Sequence, residues 1–212
     1  AICAMSAALI LSISGKIIVS ENLSAGTAIF LSIIAGIGIG MLCGLFNGFI
    51  SQHWKIPAFV VTMGMLNIAR GLALTISDSR TIFGFPEAFN RIGALTVFRI
   101  PIIFIISLLL ICIGSFILNR TVYGRLLYAI GNNEEAVRLS GHNVDFYKIS
   151  AYVICGATVG IASTLYMMRL NIASPILGNG FELTAIAAVV IGGASMNGGK
   201  GSLTGTLLGA CI

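Results

Sequence analysis

The side chains able to do chemistry are few and scattered. Two histidines, His53 and His142, fall in connecting segments, and neither has the serine and acid neighbours that nucleophilic catalysis requires. Gly193-Ala194-Ser195-Met196-Asn197 approaches a nucleophile elbow but ends in Asn where Gly is needed. The run ending Gly198-Gly199-Lys200-Gly201 would suggest a phosphate loop. It fails because Ala194 replaces the first glycine and Gly201 replaces the hydroxyl residue that would hold magnesium. Cys3, Cys43, Cys112, Cys155 and Cys211 all lie in apolar stretches, without a C-x-x-C pair or a histidine at metal-ligand spacing, so buried, reduced packing residues are expected. The chain therefore offers no catalytic residue, metal site or cofactor site of its own.

One short polar stretch has internal order. Asn133 is suited to cap a helix, Glu134 and Glu135 would sit in its first turn, and Ala136, Val137, Arg138 and Leu139 continue it. Arg138 stands four residues after Glu134, and Gly141 is placed to end the helix. Seven or eight residues cannot hold a helix alone in water, so this one must dock on its own protein or on a partner. A second polar set, Asn47, Thr62, Asn67 and Arg70, lies inside or at the ends of apolar runs. Such groups gather along transport paths because lipid exposure is costly. Arg70 would cost about 2.5 to 3.5 kcal/mol at mid-helix, so it either lines a path or has a structural role, snorkelling outward or binding backbone carbonyls.

The elements that must position these residues are helices in lipid. Of 212 residues, 57% are hydrophobic and 9% charged, against about 25% charged in soluble domains, which excludes an ordinary soluble fold. The net charge of +5 comes from scattered Lys and Arg, a pattern that suits membrane topology and gives no nucleic-acid patch. Crossing the hydrocarbon takes about 20 helical residues. Residues 1–19, 26–50, 57–76, 101–118 and 149–168 meet that need, while 183–193 is too short and reads as broken or re-entrant. The expected fold is all-α: a polytopic transmembrane helix bundle of about five complete spans plus the broken segment. Residues 1–212 form one membrane-spanning domain, and apolar runs at Ala1 and Ile212 suggest truncation at both ends.

Gly36, Gly40, Gly44 and Gly48 recur every fourth residue and stripe one helix, which predicts close packing against another backbone. The connection 119–148 carries Arg120, Arg125, Arg138 and Lys148, so it is expected on the cytoplasmic side, together with His53 and Lys55, and with Lys200 if the short segment crosses. Arg80, Arg91 and Arg99 then fall outside. All seven acids lie outside the apolar runs or at their edges, which disfavours the alternative of a self-contained, ion-coupled secondary transporter of a small polar solute.

Three blocks carry a family resemblance. The stretch 123–141, reading YGRLLYAIGNNEEAVRLSG, resembles the cytoplasmic coupling segment of bacterial sugar ABC permeases, the family of the ribose permease. The stretch 56–71, IPAFVVTMGMLNIARG, and the stretch 180–193 with the following Gly-rich turn and 205–210, are similar to the same family. The resemblance implies the permease subunit of a monosaccharide importer in the bacterial inner membrane. It further implies an ATPase subunit that binds ATP and Mg, a periplasmic or extracellular sugar-binding protein, and a second permease copy, identical or paralogous. Residues 133–139 and Gly141 would be the ATPase-coupling helix. Glu182 reads as a solvated carboxylate or as a contact to a neighbouring loop or to the binding protein. Thr184 departs from the family, where Asp is common, and this bears on a polar contact near the membrane interface.

Overall fold

The computed structural model describes residues 25–81, 93–97, 99–196 and 198–212. The apolar stretch 1–19 and Arg91 lie outside the described residues. In chain order, α1 is Ala25–His53, α2 Ala58–Ile76, β1 Thr96–Val97, β2 Ile100–Pro101, α3 Ile102–Arg120, α4 Val122–Asn132, α5 Glu134–Leu139, α6 Val144–Leu170, α7 Phe181–Ile191 and α8 Leu203–Cys211. The two strands form a two-residue antiparallel ladder pairing Thr96 with Pro101 and Val97 with Ile100. Among the described residues, α1, α2, α3 and α6 are long and apolar enough to cross a membrane. The fold is thus an all-α polytopic bundle.

Boundaries differ from expectation for local reasons. Pro57 and Pro101 stand one residue before α2 and α3, with ψ of 131° and 135°, so each ends the preceding extended chain and the helix starts after it. The fifth predicted span starts earlier, at Val144, because Asn143 Oδ1 accepts from Phe146 N and caps it there. Much of the connection 119–148 is itself helical. Residues 183–193 become α7, whose 11 residues rise only ~16 Å, preceded by the irregular stretch 171–180.

The bundle is organised by the α1–α6 contact. Gly40 lies against the Gly156 carbonyl, Gly160 against Gly36, Gly44 against Tyr152 and Gly48 against Ile149. One index rises by four as the other falls by about four, so the two helices run antiparallel with backbones in contact. A Cβ at Gly40, Gly44, Gly156 or Gly160 would fall inside the van der Waals envelope of the opposing backbone. The same device joins α7 to α8, where Gly192 meets Gly205 and Gly209 meets the Ala188 carbonyl. The α2 helix adds Leu66, Ala69 and Ala73, packed with Ile39 of α1. No residue of α3 is buried.

The cysteines depart from the expectation of burial. Cys43 is buried between helices, whereas Cys112, Cys155 and Cys211 lie on exposed faces; all four are free thiols. A thiol behaves as a small apolar group, so an outward position on an apolar helix exerts no pressure to bury it.

The chain's turns then fall at two ends. Antiparallel α1 and α6 bring the 53–57 turn to the start of α6, beside α4 and α5. The Gly-rich turn after α7 reaches the same end, where Tyr128 Oη donates to Gly201 O at 2.7 Å.

A methyl group separates the two classes of glycine. Gly40→Ala or Gly156→Ala forces the α1 and α6 backbones apart and costs about 1 to 3 kcal/mol. Gly64→Ala, at a site with nothing within 4 Å, leaves stability unchanged or raises it by about 0.5 to 1 kcal/mol. Thermal unfolding of the detergent-solubilised full-length protein checks the contrast.

Candidate functional site

Local sequence explains how the polar end is built. Thr121 starts α4: its Oγ1 accepts from Gly124 N at 3.3 Å and donates to Ile117 O at 2.6 Å. Along α4, Leu126, Ala129 and Ile130 turn inward and meet Val137 of α5 with Val144 and Tyr147 of α6. Asn133 is the joint. Its N–H closes α4 on Ala129 O at 2.9 Å, its backbone is extended (φ −154°, ψ 99°), and its Oδ1 accepts from Ala136 N at 3.1 Å to start α5.

The other end of α5 is a Schellman stop. His142 N donates to Val137 O, Gly141 N donates to Arg138 O, and Gly141 has φ +86°, which a Cβ would resist. Ser140 Oγ also donates to Val137 O at 2.7 Å. Six residues thus form a helix with both ends fixed by side chains and turns, and Val137 anchors its underside.

Charge fixes its azimuth. Lys148 Nζ of α6 donates to Glu134 Oε2, and Arg138 bridges Glu134 at 3.3 Å and Asp145 at 3.6 Å. The hydrogen bond from Lys148, aided by the Lys148, Arg138 and Lys55 charges against a smaller opposing effect of burial, holds the Glu134 carboxyl below the usual glutamate range. Tyr123 Oη lies 2.7 Å from Ser150 Oγ, tying α4 to α6. Gly131 packs on Gly198 and Gly199, and Asn132 on Gly199, so the Gly-rich turn rests on the last turn of α4. A cleft of about 970 Å3 opens among α1, α2, α4, α5 and α6, lined in part by Ser51, Lys55, Pro57, Glu134, Lys148 and Tyr152.

Of the larger apolar side chains of α5, Val137 and Leu139, only Val137 packs on the protein. It is 7% exposed, whereas Leu139 is 84% exposed and points away from the protein. Glu135, Ala136, Arg138 and Leu139 all remain on the open surface.

The polar residues within the spans are not gathered into one place. Thr62 Oγ1 donates to Phe59 O at 3.0 Å and Asn67 Nδ2 to Met63 O at 3.2 Å, so both are satisfied by their own helix. Asn47 is 1% exposed, and both of its amide atoms lack a partner. Arg70 alone of the four reaches another element, donating to Asn179 Oδ1 at 3.0 Å. Glu182 is not a fully solvated carboxylate: its Oε2 is buried without a hydrogen-bond partner. Thr184 lies exposed in the first turns of α7. Among the described residues, no group of three or more His, Cys, Asp or Glu side chains comes together as a metal site.

Four features had weak sequence signals or none. The α4 helix could have been read from its inward Leu126, Ala129 and Ile130, but its four-residue spacing was masked by the polar flanks. Lys148 as the partner of Glu134, Tyr128 as the tie to Gly201 and Asn179 as the partner of Arg70 are long-range pairings that no local pattern announces.

Helices long enough to span a bilayer, tight glycine contacts and a docked helical connection at one end define a multi-pass membrane protein. The chain belongs to the family described as branched-chain amino acid transport system / permease component, whose model matches residues 1–212. It is 34% identical to the D-allose transport system permease protein AlsC of Escherichia coli (strain K12), over 98% of this chain and 64% of that protein. Against the ribose import permease protein RbsC of Haemophilus influenzae, identity is 38% over 96% of this chain and 64% of the relative. The autoinducer 2 import system permease protein LsrC of Photorhabdus laumondii is 34% identical over 92% of this chain and 58% of its own length. The chain therefore spans less than two thirds of these relatives, and the resemblance drawn from the three sequence blocks holds. No solved structure matches the chain.

The Glu134 pair sets a pH dependence. A carboxyl held below its ordinary value stabilises the folded form above the usual glutamate range and loses that contribution as pH falls through the lowered value. Both partners are partly exposed, so Glu134→Gln should cost only about 0.5 to 1 kcal/mol at pH 7. The gap between the native protein and Glu134→Gln should close as the medium is acidified below the usual glutamate range, measured by thermal unfolding across pH.

Proposed function

We propose that the complete protein is the membrane-spanning permease of an ABC importer for a monosaccharide or a similar small polyhydroxylated solute. The relatives support the reading: curated proteins matching most of this chain are named as permeases for allose, ribose, fructose and autoinducer 2. The single observation that carries it is α5, a six-residue helix held from beneath by Val137 and the Glu134–Lys148 pair while Leu139 stands 84% exposed. An apolar side chain on a rigid, charged end of a membrane protein is suited to a pocket on another protein.

In this reading the α5 end faces the cytoplasm, in keeping with Lys55, Arg120, Arg125, Arg138, Lys148 and Lys200 gathering there. Residues Asn133 to Leu139 with Gly141 form the coupling helix, and a partner ATPase binds ATP and Mg. ATPase closure pushes α5. Because α5 is bonded to the start of α6, and α6 is locked to α1, the push moves two spans together and alternates access. A binding protein on the opposite side supplies the solute, a second permease copy completes the pathway, and the assembly sits in the bacterial inner membrane.

Leu139→Asp keeps both caps and Val137, so the chain should still insert. It should lower uptake of labelled monosaccharide by about tenfold or more and weaken co-purification of the ATPase, since losing an interface anchor costs about 2 kcal/mol or more. Vanadate-sensitive uptake from a panel of labelled sugars, run on the complete transporter, identifies the substrate. Unchanged uptake in Leu139→Asp contradicts the coupling role of α5.

A further inference from the structure

At the end of the bundle opposite α5, the start of α3 and the end of α6 share a pocket of about 390 Å3, lined in part by Arg99, Pro101, Ile103, Phe104, Ser107 and Arg169. Local contacts explain how it is built. Ile102 N donates to Leu95 O at 2.9 Å, while Thr96 pairs with Pro101 and Val97 with Ile100, so a small hairpin is clasped to the start of α3. Gly93 before that hairpin lies against the Met168 carbonyl, which ties it to the last turn of α6. Arg99 stands between the paired strands with φ +65°, and Arg169 is one residue from the end of α6. Two guanidiniums seventy positions apart in the chain thus reach one pocket.

The lining divides by chemistry. Among the described residues, neither guanidinium makes an ion pair or a hydrogen bond. Ser107 supplies a hydroxyl, but its Oγ already donates to Ile103 O at 2.8 Å. The remaining lining side chains are hydrocarbon, and Phe104 is 58% exposed. The α3 helix also begins here without a side-chain cap or an acid in its first turn, which adds to the positive potential that the arginines set. No lining carboxylate or side-chain amide is present to accept from a sugar hydroxyl. The pocket therefore suits an anion that carries an apolar tail.

Depth selects the same ligand. The apolar run of α3 starts at Ile102, so hydrocarbon begins within a turn of the arginines, and both guanidiniums lie at the level of lipid headgroups. Phe104 and Leu108, one turn apart and both exposed, continue an open apolar face from the pocket along the helix.

We propose that this pocket binds an anionic phospholipid, with Arg99 and Arg169 holding the headgroup phosphate and an acyl chain lying on Phe104 and Leu108. Guanidinium forks match phosphate oxygens in pairs, and each basic side chain near an anionic headgroup contributes about 1 kcal/mol. The site stands on the chain spanning a bilayer and is independent of the importer reading.

The test places the complete protein in phosphatidylcholine vesicles with a trace of photolipid that bears a diazirine early in one acyl chain, and maps the crosslinks by peptide mass spectrometry. The photolipid carries either a phosphatidylglycerol headgroup, which is anionic, or a phosphatidylcholine headgroup, which is not. Labelling of residues 100–108 should be about tenfold stronger with the glycerol headgroup, as two arginines at this depth imply. Arg99→Gln with Arg169→Gln should bring it down to the choline level; both side chains are exposed and unpaired, so the variant keeps its fold. Arg80→Gln, which removes a charge beyond the end of α2 on the same side, should leave the labelling unchanged. Excess sn-glycerol 3-phosphate, the headgroup chemistry without the tails, should not compete. Equal labelling by the two headgroups, no labelling of 100–108 by either, unchanged labelling in the double variant, or an equal loss in Arg80→Gln overturns the site. Displacement by sn-glycerol 3-phosphate overturns it as well, because the ligand would then be a soluble phosphate.

Discussion

Everything in this bundle depends on how closely α1 and α6 approach. In lipid, helices gain little by hiding apolar surface from one another, because the alternative surroundings are equally apolar. Association must come from close van der Waals contact, and glycine makes that contact as short as a helix permits. Gly36, Gly40, Gly44 and Gly48 let the α6 backbone rest on the α1 backbone over about three turns. A larger residue at any inner position would cost contact along its neighbours as well, since two rigid helices cannot separate at one point alone.

That contact decides where the polar chemistry lies. With α1 and α6 antiparallel, the 53–57 turn must meet the first turns of α6, and Lys148 comes within reach of Glu134. The ion pairs around α5 are individually small because they are half exposed. The position of α5 comes instead from the Asn133 cap, the Gly141 stop and Val137 inserted between Ile130 and Val144. The charges then choose one rotation of a helix that the caps and the apolar contact already hold.

The sequence made the local devices legible and left the long-range ones hidden. Asn133, Glu134, Arg138 and Gly141 stand at the spacings of a capped helix, and the structure has that cap, that i to i+4 pair and that positive φ. The short run at 183–193 signalled a segment unable to cross, because length alone sets that limit. Hydrophobicity locates the spans but does not distinguish an outward-facing thiol from one packed between helices, so the expected burial holds for Cys43 and not for Cys112, Cys155 and Cys211. Polarity within a span likewise could not tell Thr62 and Asn67, which bond to their own backbones, from Arg70, which reaches Asn179. That pairing joins residues 109 positions apart, and only the packed helices reveal it.

The account stands on α5 being a rigid surface presented to an ATP-hydrolysing partner. A single cysteine at Leu139, in an otherwise cysteine-free complete protein, reports this directly through labelling with an impermeant maleimide in oriented vesicles. The account predicts labelling only from the side where ATP is supplied, and loss of labelling when the ATPase is bound. Labelling only from the opposite side would contradict it.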